Sequence, residues 1–182
     1  MLDRSSLPAA LSLLVFGLGC AGAEGSRLGE DPQPETVLAA IEYGGYLRSS
    51  AILPAASGAW PSALNDGSIV MSYVTTPSFP WYEKIAPERT GSGVSLAVGA
   101  TIVRSVLDAS GAVTKLTVMV RGADGSNPTV GDYWFAVTDP GGNPLVVDGK
   151  PQVGQLTQCY SCHQERAADG YLFGVPVANR AM

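Results

Sequence analysis

Residues 101–121 constrain the fold more tightly than any other stretch of this chain. Two β-like runs, TIVRSVL at 101–107 and AVTKLTVMVR at 112–121, flank Asp108-Ala109-Ser110-Gly111. A short Asp- and Gly-containing turn between runs of β-branched residues is a hairpin signal, so the two runs are expected to pair antiparallel. Within the second run, Leu116, Val118 and Val120 alternate with Thr117, Met119 and Arg121. That period of two marks a half-buried strand.

Two further runs extend the pattern. SIVMSYVT at 68–75 follows Asn65-Asp66-Gly67, and GDYWFAVT at 131–138 ends at Asp139-Pro140-Gly141-Gly142. A short Leu145-Val146-Val147 is expected to pair with the latter. Gly 22 and Pro 13 together make 35 of the 182 residues, a share that suits many turns. Ahead of the strands, Val37, Ala40 and Ile41 share one helical face, which predicts a short helix over 36–46 that Gly44-Gly45 weakens or ends. Residues 49–65 read as a loop of small residues around Trp60 and Pro61, and residues 77–93 as a long loop carrying Phe79, Trp81 and Tyr82. Loops of that length in compact domains are usually functional or disordered, and the aromatics favour function. The sum is an α+β domain over residues 36–182: a small antiparallel β-sheet with helices at both ends.

The first residues point to export. The run LPAALSLLVFGL at 7–18 is shorter than the about 20 apolar residues a membrane span needs. It suits the core of a secretory signal peptide over residues 1–23. Two processing signals follow: Gly19-Cys20, which resembles a bacterial lipobox, and Ala21-Gly22-Ala23, an A-x-A cleavage site. The expectation is a bacterial protein in the periplasm, soluble or held by a lipid anchor at Cys20. Residues 24–35, broken by Pro32 and Pro34, read as a flexible tether. With 11 Lys+Arg against 16 Asp+Glu and a pI near 4.7, no basic face is expected for nucleic acid.

The chemistry concentrates in Cys159-Tyr160-Ser161-Cys162-His163, which holds two of the three cysteines and the one histidine. C-x-x-C-H is the attachment pattern of c-type haem. Two thiols three positions apart can each form a thioether with a haem vinyl group, and the adjacent imidazole can ligate the iron. One haem c per chain is therefore expected, on a C-terminal helix, with Cys159 and Cys162 as thioether donors and His163 as axial ligand. Three other readings were weighed. A structural zinc needs four ligands, and no second Cys/His pair exists. A thioredoxin-type redox pair belongs early in a βαβ fold. A plain Cys159–Cys162 disulfide leaves the histidine unexplained.

With one histidine, the sixth iron position falls to Met, Lys, water or nothing. The methionines outside the leader are Met71, Met119 and Met182. Only 19 residues follow His163 and their methionine is the last, unlike small electron carriers with a Met loop beyond the motif. An open, five-coordinate iron is the expectation, with Met71 in an apolar distal pocket beside Phe79, Trp81 or Tyr82.

The order of segments resembles the cytochrome P-460 family and the related β-sheet cytochromes c′. The resemblance rests on residues 66–70, 116–121, 131–135, 159–163 and 169–173, within roughly 60–175. It implies an antiparallel sheet with packed helices, five-coordinate c-type haem and a homodimer. It also implies hydroxylamine or nitric oxide oxidation in members whose haem is crosslinked to a lysine, and gas binding in the others. Here the strand after Asp66-Gly67 reads Ile69-Val70-Met71-Ser72, without lysine; the nearest is Lys84. The expected function is binding or redox processing of small nitrogen oxides such as NO. The alternatives are an electron-transfer cytochrome with a Met sixth ligand, served by an unknown redox partner, and a lipid-anchored β domain without haem.

Overall fold

The computed structural model describes residues 34–41, 44–48, 50–62 and 67–181. The leader, the lipobox, nearly all of the tether and Met182 lie outside the described residues. Every strand pair among the described residues is antiparallel. The elements run α1 (Pro34–Ile41), α2 (Gly45–Arg48), β1 (Ile52–Pro54), β2 (Trp60–Pro61), β3 (Ile69–Thr75), α3 (Phe79–Tyr82), β4 (Thr101–Leu107), β5 (Val113–Arg121), β6 (Tyr133–Thr138), β7 (Val146–Val147), β8 (Lys150–Pro151), β9 (Val153–Gly154) and α4 (Thr157–His163). The main sheet has the order β1-β3-β4-β5-β6-β9, with β2 also on β3. The chain is thus α+β with an open antiparallel sheet.

The turn at 108–111 forms as its residues dictate. Asp108 Oδ1 accepts from the Ser110 amide at 2.8 Å and the Ala112 amide at 3.1 Å, while Gly111 takes a left-handed φ of 84°. β1 and β2 lie within the segment read as a loop. At three and two residues they are too short to show a period. The stretch 145–147 departs from expectation. Val146 and Val147 pair with Pro151 and Lys150 around a left-handed Asp148-Gly149 turn, and β6 takes β9 as its neighbour. Contact with β6 is limited to the Leu145 amide, which donates to the Val137 carbonyl at 2.9 Å, and a bridge from Pro144 to Thr138.

The first helix starts two residues earlier than the periodicity suggests and inside the expected tether. Proline is well placed in a first turn, where its missing N–H costs nothing, and Glu35 beside it complements the helix dipole. Position 45 requires glycine, since a Cβ there would collide with the Ala40 carbonyl.

β5 is buried on both faces at its centre, not on one. Leu116, Val118 and Val120 join Val103, Trp134, Val37, Ile41 and Tyr46 in one core. Met119, with Ile102 and Phe135, joins a second core with Tyr82, Leu172 and Val175. Helices α1 and α2 cover the first face; the segments around α3 and after α4 cover the second. Leu116 has no exposed surface. Leu116→Ala is expected to cost about 2–5 kcal/mol, lowering the melting temperature by roughly 2–4 °C per kcal/mol in a domain of this size. Thermal unfolding followed by circular dichroism measures it; a shift under one degree would show that this face is loosely packed.

Candidate functional site

β9 pairs with Phe135 and Ala136 of β6, then the chain turns at Gly154 (φ 104°) and enters α4. Leu156, buried in the second core, anchors the helix start. Helix positions three and four apart share a face. Cys159, Cys162 and His163 stand in that relation, and all three line one cavity of about 410 Å³. That volume lies within the range of small-molecule and cofactor sites. The sheet supplies the opposite wall: Ile102 and Arg104 from β4, Lys115, Thr117 and Met119 from β5, and Phe135 and Val137 from β6. Tyr82, Leu172 and Phe173 close the apolar part.

His163 is fixed from several sides. Its ring lies 5.2 Å from Phe135 and 5.1 Å from Phe173 between centroids. Its Nδ1 is 2.6 Å from the Tyr171 carbonyl oxygen. A carbonyl only accepts, so Nδ1 carries the hydrogen and Nε2 is the nitrogen with a lone pair to offer. Burial pushes the imidazole pKa down to about 4; the Tyr171 hydrogen bond opposes this and the Arg104 charge adds to it. The ring is therefore neutral at pH 7, the form that binds a metal. The cysteines are unbridged, Cys159 partly buried and Cys162 exposed. Burial, and then the neighbouring Cys162, push the Cys159 thiol up to about 11.

The Tyr171 carbonyl is itself held. Tyr171 has a left-handed φ of 65°, and its amide donates to the Arg166 carbonyl at 2.8 Å. Its ring lies so close over Gly131 that a Cβ there would overlap it. Arg166 is buried and pairs with buried Asp169 at 2.9 Å. Its guanidinium also donates to the carbonyls of Ala86 (3.1 Å), Arg89 (2.7 Å) and Leu172 (3.3 Å). Asp169 accepts from the Ser92 amide at 2.7 Å. This network ties the segment after the motif to residues 86–92.

Burial alone would raise the Asp169 carboxyl pKa; the Ser92 hydrogen bonds and the Arg166 charge outweigh it and hold it below the ordinary range. Asp132 behaves alike: burial opposes, and hydrogen bonds from Asn127 and Gly125 with the Arg121 charge prevail. A depressed folded pKa stabilises above the unfolded value, about 3.9 for Asp, and that stabilisation is lost as pH falls through the folded value. Stability should therefore decline below about pH 4, and less steeply in Asp169→Asn. Equal acid slopes in denaturant titrations of the two proteins would contradict this.

The sequence-derived candidates divide. Cys159, Cys162 and His163 come together. Met71 does not join them. Its register partner is Ser105, its sulfur accepts from Tyr73 Oη at 3.4 Å, and it packs against the first core, on the sheet face away from His163. The neighbouring Ser72, opposite Arg104, is the β3 residue on the cavity side. Met71 thus lies outside the His163 cavity, and among the described residues Met119 is the methionine that lines it. Of the aromatic loop, Tyr82 lines it, Phe79 packs on the second core, and Trp81 is 52% exposed with Lys84 Nζ 4.1 Å above its ring. Lys84 borders a separate shallow pocket, and Lys115 is the lysine in the His163 cavity. Lys115 and Arg104 were missed, although Lys115 shares Met119's parity on β5. The expected wall was apolar; these cations line it in part.

Among the described residues no three His, Cys, Asp or Glu side chains are grouped to hold a metal ion, and no helix is long and apolar enough to cross a membrane. A haem takes a single side-chain nitrogen from one face, and the arrangement fits that demand: two thiols and one neutral imidazole on a shared wall. No protein family, curated protein or solved structure matches this chain.

Proposed function

We propose that this is an exported c-type haem protein of the cytochrome P-460 and β-sheet cytochrome c′ kind. Its C-terminal helix carries one haem through Cys159 and Cys162, and it binds small nitrogen oxides such as NO. The observation that carries the reading is the convergence of both thiols and a neutral His163, oriented by the Tyr171 carbonyl, on one cavity. Haem supplies a redox-active iron able to bind a diatomic ligand. The chain's own residues do the rest. Cys159 and Cys162 hold the group by covalent bonds. His163 offers Nε2, kept in one tautomer by Nδ1. Met119, Phe135 and Leu172 keep much of the cavity apolar, while Arg104 and Lys115 add two cations to its sheet wall.

Protein expressed in a periplasm with a haem-maturation system tests this. The reduced form should show a Soret band that shifts on adding CO or NO. A protein without a Soret band would sink the proposal.

A second reading, an electron-transfer cytochrome, is supported by Met119, a thioether on the cavity wall. Met119→Leu separates the two. If Met119 occupies the sixth position, its loss frees the iron and CO affinity rises by more than about tenfold. If the iron is open, CO affinity changes little. Met71→Leu, on the far face, should leave CO affinity unchanged in both cases.

A further inference from the structure

We infer that Arg104 and Lys115 form a recognition pair for a small bent oxyanion, a carboxylate or nitrite, at the sheet wall of the His163 cavity. The inference rests on the haem reading above and goes beyond it.

The register places the two cations on one face. Arg104 is opposite Thr117 on β5, and Lys115 is two residues before Thr117. Residues so placed are diagonal neighbours across a strand pair, about 7–8 Å apart at the backbone and within reach of long side chains. Both line the cavity. Arg104 Nε donates to the Ser72 hydroxyl at 3.3 Å, and Ser72 is completely buried, so the guanidinium is anchored at one nitrogen with its terminal NH₂ groups free for a second partner. Among the described residues the ion pairs are Arg121 with Asp124 and Asp132, and Arg166 with Asp169; Arg104 and Lys115 have none. Glu165 stands on the opposite wall of the cavity and pairs with neither.

Two unpaired cations beside apolar groups such as Ile102, Met119 and Phe135 are electrostatically incomplete. Both are only partly buried, so an anion arriving between them meets two charges held on one wall. A guanidinium offers a planar fork and an ammonium a point charge, which together suit an O–X–O anion. That chemistry has two sources. One is the haem itself, whose two carboxylates sit on the ring edge across from the thioether edge. α4 would hold the thioether edge, and the cations line the facing wall, where they could meet those carboxylates. The other is a free oxyanion such as nitrite.

The experiment compares wild type with Arg104→Gln, Lys115→Gln and the double variant, all haem-loaded. Lys84→Gln, which removes one charge outside this cavity, serves as control for each single variant. Arg104→Lys keeps the charge should Arg104→Gln fold poorly. Two quantities are read: the ferric-to-ferrous ratio at fixed applied potential, across pH, and sodium nitrite binding to the ferric protein by Soret titration. Pairing with haem carboxylates predicts about a tenfold rise in the oxidised-to-reduced ratio in the double variant, about 59 mV for one electron, with a changed pH dependence. Capture of a free anion predicts saturable nitrite binding weakened about tenfold. Either result, absent in Lys84→Gln, supports the pair. Haem-loaded variants that match wild type in both quantities overturn it while leaving the haem reading intact. A wild-type chain with no covalent haem overturns both.

Discussion

Wild-type protein matured with haem should keep its haem through a denaturing gel, and the Cys159→Ala/Cys162→Ala double variant should lose it entirely. On the proposed reading each thiol makes one thioether, so each single variant should retain haem more weakly. Both sulfurs share the α4 face that lines the cavity, and neither is tied up in a disulfide. His163→Ala is the complementary test. It leaves both thioethers possible but removes the only imidazole in the chain, so haem stays attached while its spectrum changes. A haem signal lost by the wild type on denaturation would refute the covalent claim; an unchanged spectrum in His163→Ala would refute the axial assignment.

The second large effect is expected at Arg166. Arg166→Ala removes the ion-pair partner of Asp169, a carboxylate just 1% exposed, and takes one donor from each of three carbonyls. Breaking a buried ion pair by deleting one member costs about 3–5 kcal/mol, because the survivor stays buried without compensation. At roughly 2–4 °C per kcal/mol the melting temperature should fall by on the order of 10 °C. The change should also reach the site, because the Arg166 carbonyl accepts from the Tyr171 amide and Tyr171 orients His163. Loss of stability with an undisturbed haem spectrum would separate the scaffold from the site. A drop under about 1 kcal/mol would place Arg166 among ordinary surface pairs.

The four long strands were legible because each combines β-branched residues with a turn signal at its edge. β1 and β2 were not, since two or three residues carry no periodicity. Two-sided burial of β5 was hidden for a different reason. An alternating strand looks the same whether its second face meets water or another core, and the distant segments around α3 and after α4 decide which. Met71 shows the related failure. Its strand was found, but which face it takes depends on register with β4, and one step separates Met71 from Ser72. Arg104 and Lys115 escaped because a cation at alternate positions reads as a solvent face. The thiols and imidazole were legible because their spacing alone brings them to one side of a helix, whatever the remainder of the chain does.

The C-x-x-C-H helix contains no fully buried residue, and in chain order it follows all nine strands among the described residues. That order has a consequence in time. A chain delivered from its N-terminus presents the complete set of strands before the thiols arrive, so the sheet wall can assemble first. The short helix adds little to folding by itself, and Cys162 at the surface stays within reach of an enzyme acting on it. On the proposed reading, haem attachment and the closing of the cavity would come late in assembly, with the segment that carries Arg166 following in the chain.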